Sequence, residues 1–326
     1  MSLPAISSVR AGFPEAKIHI LAKPWVAEVF AGMSGVDGTI LYQATGIHQG
    51  LRGRWRLARE LKKEGFGLAI LLPNSFDSAF LFYLSGIPRR AGYKTDGRGW
   101  LLTHPAIVTK EVKKGHQVDY YLHLVASLGF PPEGRIPSLK AHARCREEVQ
   151  GILHSCGVTD AEMLVGISPG ASYGSAKEWF PERYGELATR VARKLGGRVL
   201  LLGSRGDQKA ANLIWQRASM GPVNLAGKTT LGQALALISR CRVLVTNDSG
   251  LMHVAAALGI PTVAIFGSTD PLRTGPLGET FRVLQKSIPC APCLKPECPE
   301  DRKCMSLISV DEVFSEVEKL WHPVRG

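Results

Sequence analysis

What most constrains this chain is where its polar residues fall. Apolar runs of strand length alternate with amphipathic helical stretches, and small polar residues gather where the apolar runs end. In VTNDSGLMHVAAALGIPTVAIFGSTDP, residues 245–271, one strand leads into Asn-Asp-Ser-Gly. A small-residue helix follows, and a second strand opens into Gly-Ser-Thr-Asp. Strands joined by helices in this order build a parallel sheet with both faces covered. Such open α/β sheets bind ligands outside the carboxyl ends of their strands.

The pattern runs through the chain twice. KIHILA, GTILYQ and LAILLP read as strands of a first array, with helices at 51–65 and 76–87, a short strand in GIPRRAGYK, and a helix over 115–130 stopped by Pro131 and Pro132. Residues 131–160 are polar and read as a linker containing a helix. A second array follows: EMLVGISPG, a helix at 181–195, RVLLLG, a helix at 207–219, VNLAG, a helix at 231–240, and RVLVT. With 326 residues there is room for two full cores. The expectation is an α/β chain of two Rossmann-like domains, 1–150 and 151–326, facing a central cleft. The first residues read as a helix, with Leu3, Ile6 and Val9 at helical spacing, and no strand stands before it.

A hydrophobic content of 45% excludes a disordered chain. No apolar run approaches the ~20 residues of a membrane span, and the first twenty residues lack a secretion pattern, so a cytoplasmic protein is expected. Of the net charge of +12, the first 150 residues carry +8 and the rest +4. This places an anionic partner near the first half. There Arg52, Arg56, Arg59 and Lys63 recur at helical spacing in LRGRWRLARELKK, giving one strongly positive helix face. A solvated outer face would look the same. Arg89, Arg90 and Lys94 form a second basic group. No nucleic-acid recognition motif accompanies the charge, and no nucleic-acid partner is expected.

Three loops end strands in the second half. Asn247-Asp248-Ser249-Gly250 stands at a helix N-terminus, where free N–H groups favour an anion and Gly250 lets backbone approach a phosphate. Asp248 or Ser249 could equally just cap the helix. SPGASYGSAKEWFPERY, residues 168–184, supplies hydroxyls from Ser172, Tyr173 and Ser175 and a charge suited to phosphate from Lys177. LLGSRGDQKA lacks the G-x-G-x-x-G spacing, and the chain has no P-loop, which weakens dehydrogenase and nucleoside-triphosphatase readings. No D-x-D occurs, so no carboxylate-held metal is indicated at a sugar diphosphate. Cys290, Cys293, Cys298 and Cys304 have ligand-like spacing for a structural zinc site, with reduced thiols or adventitious pairing the alternative.

On these motifs the chain resembles the heptosyltransferases of glycosyltransferase family 9, most closely the group adding the second heptose of the lipopolysaccharide inner core. PGASYGSAKEWFPERYGELA and TNDSGLMHVAAALGIPTVAIFGSTDP are similar to the family's donor-side motifs. LPNSFDSAF, GIPRRAGYK and PCAPCLKPECPEDRKCM are similar to those of that group. The resemblance implies a GT-B fold, with the acceptor on the N-terminal domain, ADP-heptose on the C-terminal one, and the last helix packing back on the first domain. It implies inverting transfer of heptose to a heptosylated Kdo-lipid A acceptor by an enzyme peripheral at the inner membrane, needing no cofactor. Alternatives are a family member with another sugar or acceptor, or a nucleotide-sugar-binding protein without turnover. Ser172, Tyr173, Lys177, Thr229, Asp248, Ser249, Gly250 and His253 would bind the donor, Lys177 stabilising the leaving group. Arg52, Arg56 and Arg59 would face the acceptor. In the family a first strand ending in Gly-Asp precedes the helix that reads SLPAI here. That strand and its aspartate, the usual candidate base, lie outside this sequence, so no base is assigned.

Overall fold

The computed structural model describes residues 1–322. The chain divides into two compact units, Met1–Arg135 and the residues from Ile136 onward.

The first unit runs α1 (Leu3–Gly12), β1 (His19–Ala22), α2 (Pro24–Ala31), β2 (Gly38–Leu41), α3 (Gly50–Lys63), β3 (Leu68–Leu71), α4 (Phe76–Leu84), β4 (Arg89–Tyr93), β5 (His104–Ala106), α5 (Lys110–Lys114) and α6 (Gln117–Ser127). Its strands form two parallel sheets, β1-β2 and β3-β4-β5, that are not hydrogen bonded to each other. β1 and β3 therefore each present one edge without a strand partner among the described residues. The core is correspondingly divided. Leu57, Ala58 and Leu61 on the inner face of α3 pack with Leu81, Leu21 and Ile40. Ala5 of α1 packs with Val125 and Phe130 in a separate cluster. The buried face of α3 fixes its opposite face, which carries the arginine row, toward solvent.

The second unit runs α7 (Ala143–Ser155), β6 (Leu164–Ser168), α8 (Pro181–Arg190, extended by one π-helical turn), β7 (Arg198–Leu201), α9 (Gln208–Arg217), β8 (Val223–Asn224), α10 (Leu231–Arg240), β9 (Cys241–Asn247), α11 (Gly250–Ala257), β10 (Thr262–Phe266), α12 (Pro271–Thr274), β11 (Phe281–Gln285), α13 (Lys303–Ser306) and α14 (Val310–Trp321). Its six strands form one parallel sheet in the order β8-β7-β6-β9-β10-β11. This is the doubly wound order in which the chain starts at the centre, builds outward to one side, and returns to build the other. β6 and β10 are buried at every residue, as their unbroken apolar runs require.

Two boundaries differ from the sequence reading. α7 packs on α10, so the division falls at Arg135/Ile136 rather than 150/151. The helix read as part of the linker thus belongs to the second unit. The last helix, α14, expected on the first domain, instead buries Val313, Phe314, Val317 and Trp321 in the second unit's core against α8, β9 and β10. Its apolar stripe is fully used there.

Candidate active site at the switch point of the second sheet

The strand order of the second unit reverses between β6 and β9, which pair with Ser168 opposite Thr246. That is where a doubly wound sheet opens its ligand crevice. The loops leaving these two strands are the two singled out in the sequence, 169–180 and 247–250.

Asn247 joins them. It is fully buried; its Oδ1 accepts from the Trp179 backbone N–H at 3.1 Å and from the Tyr184 hydroxyl at 2.9 Å, while its Nδ2 donates to the Pro169 carbonyl. One side chain at the end of β9 thus fixes both ends of the loop leaving β6. Beside it, Lys177 Nζ donates to Asp248 Oδ2 at 2.6 Å, and Thr269 Oγ1, beyond β10, donates to the same oxygen at 2.8 Å. The side chains of Lys177 and Asp248 are 12% and 5% exposed, low enough that their attraction is little screened by water. The ammonium also lies 4.8 Å from the centre of the Tyr173 ring.

Neither residue caps α11. Ser249 is its N-cap by position but makes no capping bond; its hydroxyl lies 3.0 Å from Thr246 Oγ1. Asp248 is committed to Lys177 and Thr269. The capping explanation of Asn-Asp-Ser-Gly therefore fails, and the start of α11 has no side-chain acceptor at its N-cap. Gly250 is exposed there, and His253 lies half-buried one turn on. Ser172 is exposed on the facing loop. Thr229 stands apart from this group, in the loop after β8, two strands away from β6 in the sheet.

A third segment, the one that carries the four clustered cysteines, braces the first loop. The Tyr173 hydroxyl donates to the Leu294 carbonyl at 2.8 Å and Ala176 N–H donates to the Pro296 carbonyl at 3.0 Å. Arg302 donates to the carbonyls of Ser175 and Glu178 and lies over the Phe180 ring. Leu294 N–H donates in turn to the Ser268 carbonyl, next to Thr269. Gly174 has φ +146°, and a Cβ there would stand 2.2 Å from the Pro296 oxygen, so only glycine admits this approach.

This segment carries the cysteines. Burial pushes the Cys304 thiol up, and Cys298, Cys290 and Cys293 push it the same way. Yet Cys290 is exposed while Cys304 is buried in the apolar core. Among the described residues no three His, Cys, Asp or Glu side chains are grouped to hold a metal ion. The zinc expectation thus does not fit this arrangement: the four thiols sit at different depths, and the segment's backbone holds the loop of Lys177.

Glu178 was also missed. Burial raises its carboxyl pKa, opposed by Arg302 and reinforced by Asp207. A carboxyl raised on folding holds its proton more tightly in the folded chain. Its contribution to stability is complete below the ordinary carboxyl range and is lost as pH rises through the raised value. Glu178→Gln should therefore melt with the wild type near about pH 4 and above it near about pH 7; equal melting temperatures at both would contradict this reading.

In the first unit, Arg52, Arg56 and Arg59 all stand exposed on α3, with no carboxylate partner among the described residues. Their neighbour Arg54 instead pairs with Asp77 at 2.8 Å. The second basic group is differently employed: Arg89 donates to the Gly67 carbonyl and Arg90 to those of Ile87 and Leu101, so both bind their own backbone.

With this geometry in hand, comparison with known proteins is specific. Residues 54–304 match the family model of glycosyltransferase family 9 (heptosyltransferase). Lipopolysaccharide heptosyltransferase 2 of Escherichia coli K12 is 33% identical over 299 residues, 87% of this chain and 84% of that protein. Lipooligosaccharide heptosyltransferase 2 of Haemophilus influenzae is 31% identical over 302 residues, with the same shares covered. The solved E. coli ADP-heptose lps heptosyltransferase II superposes with a TM-score of 0.83 at 29% identity, covering 98% of this chain and 94% of that one. A family 9 glycosyl transferase from Veillonella parvula superposes with 0.88 at 25% identity, covering 98% and 92%. The chain is a member of glycosyltransferase family 9, the heptosyltransferases, an enzyme of their GT-B fold class.

Proposed function

We propose that this enzyme transfers heptose from ADP-heptose to a heptosylated Kdo-lipid A acceptor, adding the second heptose of the lipopolysaccharide inner core. The observation that carries the reading is the Lys177–Asp248 pair at the switch point, in a chain about a third identical to heptosyltransferases 2 of this kind. The donor binds the second unit. Its diphosphate lies against Lys177 and the start of α11, its sugar against Asp248, Ser249 and His253, with Ser172 and Tyr173 on the opposite loop and Thr229 toward the adenine. As the bond from the anomeric carbon to ADP breaks, charge of oxocarbenium type develops on the sugar and negative charge on the diphosphate. Lys177, held in place by Asp248 and Tyr173, needs little reorganisation to stabilise that negative charge. Transfer inverts the anomeric carbon without a covalent intermediate. The acceptor side is the first unit, whose α3 presents Arg52, Arg56 and Arg59 to the acceptor's phosphates.

The test is turnover of ADP-heptose with heptosylated Kdo-lipid A, following ADP release and the anomeric configuration of the product by NMR. Acceptor-dependent ADP release and an inverted heptoside support the reading. Turnover only with another nucleotide sugar would assign the chain to a different donor. Neutralising Arg52, Arg56 and Arg59 together should raise the acceptor KM at least tenfold and flatten its salt dependence, leaving the donor KM unchanged. An equal rise for both substrates would remove these arginines from the acceptor side.

A further inference from the structure

The segment that braces the Lys177 loop meets both sides of the site at one residue, Leu294. Its N–H donates to the Ser268 carbonyl at 2.8 Å, and the next residue, Thr269, holds Asp248. Its carbonyl accepts from the Tyr173 hydroxyl at 2.8 Å, and the Lys177 ammonium lies over that tyrosine ring. Leu294 makes both bonds with φ +57°, in the left-handed region that a residue with a side chain occupies only where its surroundings hold it. A displacement of the backbone just before Leu294 therefore loosens both partners of the Lys177–Asp248 pair.

The residue before Leu294 is Cys293, and Cys290 stands three positions earlier in Cys-Ala-Pro-Cys. Cys290 is exposed and Cys293 half-buried. Residues 286–302 belong to no helix or strand, so no backbone ladder holds the two thiols apart. Burial, and then the thiols of Cys298, Cys290 and Cys293, push the Cys304 thiol up, so the four sulfurs share one neighbourhood. Cys304 is itself buried in the core and stays an unreactive thiol. The accessible pair is Cys290 and Cys293.

We propose that Cys290 and Cys293 are a reversible oxidation site: hydrogen peroxide converts them to a disulfide that loosens the Lys177 loop and so weakens donor binding. The Cys290 thiolate attacks one peroxide oxygen and the O–O bond breaks. The hydroxide that leaves takes up the proton lost by Cys290, giving water and a sulfenic acid. The Cys293 thiol then attacks that sulfur, the S–O bond breaks, and its proton completes a second water. Two thiols lose two electrons, and the peroxide is reduced to two waters. A dithiol reverses the step by exchange. A disulfide holds its two Cα atoms about 4.4–6.8 Å apart, so closing this short ring fixes Cys293 and pulls on the peptide it shares with Leu294. The inference rests on the reading that Lys177 holds the donor's diphosphate.

The test exposes the full chain to hydrogen peroxide, maps its thiols by mass spectrometry, and follows ADP affinity by calorimetry and backbone hydrogen exchange over residues 172–180. A Cys290–Cys293 disulfide should form. Exchange should quicken in that stretch, where Ala176 N–H donates to the Pro296 carbonyl. ADP affinity should fall at least about fivefold, and dithiothreitol should restore both. Cys290→Ser should bind ADP like the reduced wild type and keep that affinity in peroxide. Absence of the Cys290–Cys293 disulfide, unchanged exchange, or an equal loss of affinity in Cys290→Ser would each overturn the proposal. So would unchanged or tighter ADP binding by the oxidised form of a chain that binds ADP when reduced. If the reduced chain binds no ADP but its disulfide still quickens exchange, the oxidation site's hold on the loop stands and only the choice of nucleotide fails.

Discussion

Lys177→Ala should lower kcat/KM for transfer by about a hundredfold to a thousandfold, the usual cost of losing one preorganised donor to a developing negative charge. The same substitution leaves Asp248, 5% exposed, with Thr269 as its remaining side-chain donor. Removing one member of a buried ion pair costs about 3–5 kcal/mol because the other charge stays buried. Turnover and stability can be separated by adding Asp248→Asn to Lys177→Ala. The double variant should recover much of the melting temperature and none of the turnover. If turnover returned with stability, the lysine would be a structural member of the fold and the diphosphate would need another partner.

Asn247→Ala should be the most destabilising single change near the site. It leaves the Trp179 N–H, the Tyr184 hydroxyl and the Pro169 carbonyl without their partner, all where Asn247 itself is fully buried. A buried group left unpaired costs about 1–3 kcal/mol, so three together reach several kcal/mol against the roughly 5–15 kcal/mol that holds a typical domain folded. Chemical denaturation should show this as a lower midpoint with unchanged slope. A loss of under about 1 kcal/mol would mean that water or a shifted loop replaces the bonds.

The second sheet was legible because its signals are local. β6, β9 and β10 are apolar runs bounded by turn residues, and α10 was read at its observed ends, Leu231 and Arg240, from its periodicity alone. The two phosphate-suited loops were found because they follow such strands. Their adjacency was not legible, since the pairing of β6 with β9 joins segments separated by the whole β7–β8 excursion. For the same reason Lys177 and Asp248 were chosen separately and their ion pair was not foreseen. Asn247 stood in the quoted motif without a role, because its partners lie more than sixty residues away. The edge strand β5, with three residues, is too short to show a period, and the edge strand β11 is only partly buried and lacks the unbroken apolar run of β6 and β10. The cysteine spacing pointed to metal, while what the structure shows is that segment's backbone holding Tyr173, Ala176 and, through Arg302, Ser175. Ser75 and Thr109 cap α4 and α5 as their types suggest, whereas Ser249, in the same kind of position, does not.

In the proposed function the donor's diphosphate sits at the switch point of the second sheet, on Lys177. Calorimetric titration of ADP tests it most directly, with the wild type, Lys177→Ala/Asp248→Asn and Arg56→Ala compared under one condition. ADP affinity should be at least tenfold weaker in the Lys177 variant and unchanged in the α3 variant, a difference of at least about 1.4 kcal/mol. Equal affinity in all three proteins would contradict it.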